Sequence, residues 1–341
     1  MPETELNRFN KNMQTEKLIN TDSLKIGSLK LKSKVVAAPM AGITDTVLRQ
    51  MIRMFSKDCL LMSEMLSSEA LKFNKEQKIL LYDKTEYPLS FQVSGHKPEL
   101  MAEGAKKLEP FAQIIDINMG CPAPKIVKNG DGAKLMTDLP LASSIIKAVK
   151  KSVSIPVTVK CRLGWDCNSK NYIEFAKMVE DCGADGIIVH GRTKSQMYNG
   201  KANWEEIGKV KRAVKIPVIG NGDIDSPQKA RECLEHSGCD GIAIGRAIMG
   251  DPGLIGRIEK YISTGELQPE PSQKEKLEIA LLHCNKEIEH MKNELNGIKF
   301  MRKFFAHYVT GIRDAATYRA DLVRCSKLSE VEEIFTRILQ N

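Results

Sequence analysis

The chain has 341 residues, of which 42% are hydrophobic and 28% charged, so it is long and apolar enough to bury a large globular core. The net charge of +8 is moderate and fits simple solubility as well as a nucleic-acid partner, so its distribution along the chain has to decide. Nine cysteines without C-x-x-C spacing, no apolar run of about 18 residues and no leader segment predict reduced thiols, no metal cluster, no membrane span and a cytoplasmic protein.

The chain begins with a polar stretch, residues 1–22, which we interpret as a surface extension. Residues 23–34 alternate apolar and polar side chains around Gly27, a pattern that predicts a short β-hairpin. This hairpin is expected to open a domain that spans residues 23–265.

A unit of short apolar strand, loop and amphipathic helix repeats eight times from residue 35 to about residue 262. Helical stretches such as 98–108, 141–151 and 169–182 separate the strands. Eight repeats in about 230 residues predict an α/β fold of the (β/α)8 TIM-barrel type rather than an open sheet. The predicted strands cover residues 35–38, 60–63, 89–93, 114–118, 157–161, 186–190, 218–220 and 241–244.

The fourth predicted strand ends in Asn118-Met119-Gly120-Cys121-Pro122. Pro122 cannot continue a sheet ladder and Gly120 permits a tight turn, so the Cys121 thiol is expected on a loop at the strand's exit. A lone cysteine is more commonly a small buried hydrophobe, which remains the alternative for Cys121. In a barrel, however, the residues at the carboxyl ends of strands carry the chemistry.

The other strand exits are also polar. The turns 220–223 and 244–246 follow the last two strands, where barrels commonly bind phosphate, and Arg246 adds a positive charge. Lys160 with Arg162, and His190 with Arg192, place two basic groups two residues apart at neighbouring exits. The alternatives are ordinary glycine turns, and buried ion networks that pair these basic groups with Glu64, Asp116 or Asp223.

The C-terminal part has a different composition. Gly265, Pro269 and Pro271 indicate a linker, and the apolar spacing from Leu277 to Met291 predicts an amphipathic helix, so we expect an all-helical domain over residues 272–341. Residues 299–327 contain seven Lys or Arg and two Asp, for which we favour phosphate contacts. The interleaved aromatic side chains, for which packing is favoured over base stacking, are Phe304, Phe305, His307 and Tyr308.

Taken in chain order, these motifs resemble the tRNA-dihydrouridine synthase family, and within it the bacterial B-type branch. The resemblance extends from about residue 24 to the C-terminus. The motifs that carry it are Ala38-Pro39-Met40-Ala41-Gly42-Ile43-Thr44-Asp45, Ser63-Glu64-Met65, Asp116-Ile117-Asn118-Met119-Gly120-Cys121-Pro122, Lys160-Cys161-Arg162, His190-Gly191-Arg192-Thr193, Asn221-Gly222-Asp223-Ile224 and Ile244-Gly245-Arg246.

The resemblance implies an FMN enzyme that reduces the C5–C6 double bond of particular uridines in tRNA, with NADPH as the electron donor. Hydride would reach C6 of the uracil, and Cys121 would give the proton to C5, because a thiol can release a proton near neutral pH. The implied substrate contacts are Asn118, Arg162 and Arg192. The implied FMN contacts are Pro39, Met40, Ala41, Gln92, Lys160, His190, Asn221, Gly222, Asp223, Gly245 and Arg246.

Two other functions fit parts of the sequence. One is an FMN barrel oxidoreductase acting on a small enone or a dihydroorotate-type substrate, which would have no use for the basic helices. The other is a non-catalytic RNA-binding protein, which would have no use for Cys121, Lys160 and His190. We expect a monomer whose partners are tRNA and NADPH, with no metal.

Overall fold

In a computed structural model of the chain, residues 23–73 and 81–341 are described; the predicted extension over residues 1–22 lies outside them. The predicted hairpin and all eight predicted strands are present. The strands are β1 Leu24–Ile26, β2 Leu29–Leu31, β3 Val35–Ala37, β4 Leu60–Ser67, β5 Leu89–Ser94, β6 Ile114–Asn118, β7 Val157–Cys161, β8 Gly186–His190, β9 Val218–Asn221 and β10 Gly241–Ile244.

Helices follow the strands in the order that the sequence predicts. Their starts are set by side-chain caps: the Asp138 carboxylate accepts from the Leu141 N–H at 3.0 Å, so that helix begins at Leu139. The helices are α1 Thr46–Arg53, α2 Ser68–Lys72, α3 Pro98–Leu108, α4 Pro124–Lys128, α5 Leu139–Ser152, α6 Tyr172–Asp181, α7 Trp204–Ala213, α8 Pro227–Ser237, α9 Leu254–Thr264, α10 Gln273–Met291, α11 Glu294–Tyr308, α12 Ala315–Leu322 and α13 Leu328–Gln340.

Strands β3 to β10 form a closed parallel barrel, in which each strand pairs with the next along the chain and β10 pairs with β3. This confirms the predicted (β/α)8 architecture. The β4 strand is longer than predicted because its register on β5 shifts between Met62 and Met65. Such a bulge re-aims the side chains that follow it.

The barrel interior is filled by apolar side chains from alternate strand positions, among them Val36, Met62 and Ile188. The hairpin closes the amino-terminal end of the barrel, since its Leu24 and Ile26 side chains pack into the same cluster. Chemistry is therefore confined to the carboxyl ends of the strands, where side chains remain open to solvent.

The C-terminal helices α10 to α13 pack on one another and on the barrel, as the predicted helical region requires. Phe304, Phe305 and Tyr308 are almost fully buried, so the expectation that these aromatic side chains pack the bundle is confirmed. Residues 265–272 contain no helix or strand. The division into a domain over residues 23–265 and another over residues 272–341 stays a prediction.

Candidate active site

A cavity of about 700 Å³ opens at the carboxyl ends of the barrel strands. Its volume lies in the range that cofactors and small ligands occupy. Fourteen of the fifteen side chains and backbone segments predicted from the sequence line this cavity. They are Pro39, Met40, Ala41, Gln92, Asn118, Cys121, Lys160, Arg162, His190, Asn221, Gly222, Asp223, Gly245 and Arg246.

Arg192 is the exception, because it does not line the cavity. Its side chain is 2% exposed, and its Nη2 donates to Asp223 Oδ2 at 2.7 Å and to the Gly200 carbonyl at 2.6 Å. The expectation that Arg192 faces a substrate is therefore corrected in favour of the alternative, a buried ion pair with Asp223. This ion pair holds Asp223 in place at the cavity wall.

The Cys121 loop is held by its own strand. Asn118 Oδ1 accepts from the backbone N–H groups of Gly120 at 3.2 Å and Cys121 at 3.0 Å. The Cys121 carbonyl accepts from the Ala133 N–H at 3.0 Å, and Arg162 Nε donates to the Gly120 carbonyl at 2.9 Å. These bonds fix the backbone on both sides of the thiol, which is partly exposed to the cavity.

Asn118 is oriented in turn by a buried chain of hydrogen bonds. Its Nδ2 donates to Gln92 Oε1 at 2.8 Å, and Gln92 Nε2 donates to Asp116 Oδ2 at 2.7 Å. Asp116 also accepts from Thr158 Oγ1 at 2.6 Å. Complete burial raises the pKa of Asp116 to about 7, although the two hydrogen bonds and the Lys160 charge favour its ionised form. Each amide in the chain therefore has a defined orientation.

The side of the cavity that runs from β7 to β10 is basic. Lys160 Nζ donates to Asn221 Oδ1 at 3.1 Å, and Asn221 Nδ2 donates to the Ala243 carbonyl at 2.7 Å. Burial, followed by repulsion from Arg162, lowers the pKa of Lys160 to about 8. Burial and the surrounding cations lower the pKa of His190 well below its ordinary value of 6.5. An anion bound here would relieve this repulsion.

The two glycine-containing turns complete that wall. Gly222 has φ of 119°, and a Cβ at this position would lie 2.7 Å from the Ala202 Cβ, so only glycine fits. At Gly245 a Cβ would find open space apart from the Met40 sulfur at 3.9 Å. The backbone thus leaves a cradle beside Arg246, whose side chain is half exposed.

The cradle fits a phosphate-bearing cofactor such as FMN. His190 Nδ1 is buried without a hydrogen-bond partner among the described residues, so a donor or acceptor is missing at this wall. Lys160 and Arg246 supply positive charge, and glycine backbone can approach an anion closely. The group that these residues lack is one with both negative charge and hydrogen-bonding atoms.

Several cavity residues have no counterpart in the sequence analysis. Tyr198, in the loop after β8, lies with its ring centroid 4.8 Å from the Arg246 guanidinium and 5.7 Å from that of Arg162. Met197, from the same loop, also lines the cavity. The only sequence signal of Tyr198 and Met197 is their place after the predicted strand 186–190. Met65, which belongs to the Ser63-Glu64-Met65 motif, lines the cavity from β4 without a predicted role. The sequence favours bundle packing for His307, and this expectation is wrong, because His307 is exposed and reaches the cavity from α11.

The parallel (β/α)8 barrel, with a polar cavity at the carboxyl ends of its strands, places this chain in the class of barrel enzymes. A family described as dihydrouridine synthase (Dus) matches residues 35–341. A probable tRNA-dihydrouridine synthase 1 of Synechocystis is 39% identical over 318 residues, which make up 93% of this chain and 89% of that protein. The chain therefore belongs to the dihydrouridine synthase family.

Other similar proteins agree with this family. The tRNA-dihydrouridine synthase B of Pseudomonas aeruginosa is 39% identical over 304 residues, 88% of this chain and 91% of that protein. The resemblance to the B-type branch is thereby confirmed. A solved structure of a 2-naphthoyl-CoA reductase complex is similar with a TM-score of 0.54 and 12% identity, over 71% of this chain and 52% of that chain. At this sequence identity, the structural similarity supports the barrel fold and carries no information about function.

Metal and membrane sites were also expected to be absent. Within residues 23–73 and 81–341, no three His, Cys, Asp or Glu side chains are grouped so that they could hold a metal ion. No helix in these ranges is both long and apolar enough to cross a membrane.

Proposed function

We propose that this chain reduces the C5–C6 double bond of specific uridines in tRNA, with FMN as the bound flavin and NADPH as the electron donor. One observation carries the proposal: Cys121 and the basic cradle face the same cavity from opposite sides of the barrel mouth. Cys121 follows β6, whereas the cradle follows β9 and β10, about half the ring away. A flat pyrimidine can enter between them.

FMN would be held by the cradle and the neighbouring strand ends. His190, Asn221 to Asp223, Gly245 and Arg246 would hold the ribityl phosphate, while Lys160, Gln92 and residues 39–41 would contact the ring system. Bound FMN would supply a hydride for C6 of the uracil. Lys160 would stabilise the negative charge of the reduced flavin ring, because its pKa of about 8 keeps it largely protonated at neutral pH.

Cys121 would protonate C5 from the other face of the uracil. The thiol Sγ–H bond breaks and a C5–H bond forms, leaving a thiolate beside Arg162. Arg162 uses Nε and Nη1 in bonds to backbone carbonyls, which leaves Nη2 for a uracil carbonyl. Asn118 would fix the thiol through the Cys121 N–H as well as contacting the base.

The helical region would position the tRNA. Of its seven Lys and Arg side chains between residues 299 and 327, five are exposed and can meet phosphates: Lys299, Arg313, Arg319, Arg324 and Lys327. A uridine inside folded tRNA must leave its stack to reach the cavity. These exposed charges also favour a tRNA substrate over a small enone or dihydroorotate-type molecule. We expect a monomer that acts in the cytoplasm, where tRNA is modified.

The test is to map dihydrouridine in tRNA from a strain that lacks this gene and carries a plasmid copy. Wild type should restore the missing position and Cys121→Ala should not. The matched control is Cys167→Ala, since Cys167 is an exposed free thiol that does not line the cavity. Restoration by Cys121→Ala would remove the proton-donor assignment. Purified protein without a flavin absorbance band would contradict the flavin itself and favour a non-catalytic RNA-binding protein.

A further inference from the structure

An aromatic and basic surface lies on the barrel rim outside the cavity. Trp165, half-buried in the loop after β7, has Lys194 Nζ 4.3 Å and Lys134 Nζ 5.3 Å from its ring centroid. We call Trp165, Lys134 and Lys194 the Trp165 patch. Neither Trp165 nor either lysine lines the cavity.

The patch is held by three loops that also carry cavity residues. The Lys194 N–H donates to the Gly164 carbonyl at 2.9 Å, and the Ser195 N–H donates to the Trp165 carbonyl at 2.8 Å. Lys134 directly follows Ala133, whose N–H is bonded to the Cys121 carbonyl. The patch is thus fixed in position relative to the proposed proton donor.

The three loops around the patch are basic. Residues 121–138, 162–171 and 191–203 contain six lysines that are exposed or half-exposed and three aspartates. All three aspartates are already engaged: Asp131 with His96 Nδ1 at 2.8 Å, Asp166 with the Ser169 hydroxyl at 2.8 Å, and Asp138 with the Leu141 N–H at 3.0 Å. The lysines are Lys125, Lys128, Lys134, Lys170, Lys194 and Lys201, and Lys170 also pairs with Glu206.

The patch lies across the barrel mouth from the helical region. Lys303 of α11 donates to the Gly42 carbonyl after β3, and the His307 backbone packs against Gly250, just beyond the turn that follows β10. β3 and β10 are adjacent, and β6 and β7 are half-way round the closed ring from them. The cavity mouth therefore separates the exposed cations of the helical region from the Trp165 patch.

We propose that the Trp165 patch is a second RNA-contact surface, which binds the tRNA strand on the far side of the nucleotide that enters the cavity. A base that leaves its stack exposes the face of its neighbour, and an aromatic ring on the rim can stack on that face. Lys134 and Lys194 would pair with the adjacent phosphates. The proposal rests on the proposed tRNA substrate, and it adds that the catalytic barrel itself grips the RNA.

The first test uses the FMN-loaded full chain and a tRNA transcript. Trp165→Ala should raise the Kd for tRNA about tenfold, because base–aromatic stacking contributes on that scale, and Trp165→Phe should retain most of the affinity. The chain has two tryptophans, so tRNA should quench the fluorescence of wild type and much less that of Trp165→Phe, in which Trp204 remains. Unchanged tRNA affinity in Trp165→Ala would overturn the proposal.

The second test separates phosphate contact from general charge. Lys134→Ala/Lys194→Ala should weaken tRNA binding and reduce the slope of log K against log salt by about 1.4 to 1.8. The control is Lys147→Ala/Lys177→Ala, which removes the same charge from exposed positions on the barrel's outer helices. If the two double substitutions changed tRNA binding and its salt dependence equally, the proposed role of the Trp165 patch would be wrong. If wild type forms no dihydrouridine but binds tRNA through the patch, the proposed reaction fails and this surface stands.

Discussion

Glu287 gives a sharp test of the electrostatics between the barrel and the helical region. Its side chain is fully buried in α10, and neither carboxylate oxygen has a hydrogen-bond partner among the described residues. Asp45, which caps α1, faces it, and Asp45 Oδ2 is likewise without a partner among them. Burial raises the pKa of Glu287 to about 7, and burial together with the Glu287 charge raises the pKa of Asp45 to about 7.

The neighbours of Glu287 do not neutralise it. His283 Nε2 lies 3.6 Å from Glu287 Oε1, but burial lowers the pKa of His283 to about 4, so this imidazole is neutral near pH 7. Lys303 favours the ionised carboxylate and Glu64 opposes it. One proton shared between Glu287 and Asp45 is therefore the arrangement that satisfies both carboxyl groups.

Because the folded-state pKa of Glu287 is raised, the folded state binds a proton more tightly than the unfolded chain does. The stability from this proton is fully present below about pH 4 and is lost as the pH rises to about 7. A pKa of about 7 in place of 4.5 corresponds to about 3 kcal/mol, since one pKa unit is worth 1.36 kcal/mol. Glu287→Gln should therefore be about 2–3 kcal/mol more stable than wild type at pH 8 and less than about 1 kcal/mol more stable at pH 4.5.

The assay is urea unfolding of both proteins at pH 4.5 and pH 8. In Glu287→Gln the introduced amide would also donate an N–H to the ionised Asp45, which has a free oxygen to accept it. Glu289→Gln is the control, because Glu289 is exposed on the same helix and its replacement should leave stability unchanged at both pH values. A difference between wild type and Glu287→Gln that does not change with pH would refute this reasoning.

Two further predictions concern the basic wall of the cavity. Gly222→Ala should cost about 1–3 kcal/mol, because φ of 119° is strained for alanine and its Cβ would meet Ala202; denaturation and an FMN titration should both report the loss. Lys160→Met should raise the melting temperature of FMN-free protein at pH 7, since the folded state no longer buries a cation, yet weaken FMN binding. A melting temperature that falls without FMN would contradict the reasoning that the buried Lys160 cation destabilises the empty protein.

The barrel could be predicted because each strand carries its own apolar run and each exit its own polar residue. Features that depend on pairing between strands could not be predicted. The β4 bulge between Met62 and Met65 is a register shift against β5, and no local pattern in residues 60–67 marks it. The helix expected from residue 169 begins at Tyr172, because Asp166 accepts from the N–H groups of Asn168 and Ser169 and holds a turn there.

Arg192 shows where alternation along a strand stops being informative. The spacing of His190 and Arg192 predicts that both side chains point to the same side. The strand ends at His190, however, and the Arg192 N–H bonds back to the His190 carbonyl at 2.8 Å, so the backbone turns between them. Arg162 also follows a strand end, but its loop continues along the wall and keeps the guanidinium at the cavity. Tyr198 reaches the cavity from the loop after β8, and His307 reaches it through the packing of α11 on the barrel, which sequence spacing does not encode.

The cavity carries positive charge that the protein itself does not balance, and this charge lowers the stability of the folded state when no anion is bound. Burial and mutual repulsion lower the pKa values of Lys160, Arg162 and His190 together, and Asp116, the nearest buried acid, has its own pKa raised to about 7. A fold that keeps such a site gives up stability in the empty state. An anion that binds only the folded state recovers it, in proportion to the logarithm of its concentration over Kd. The same repulsion that weakens the empty barrel thus favours a bound anion at this wall, which is where the proposed function places the phosphate of FMN.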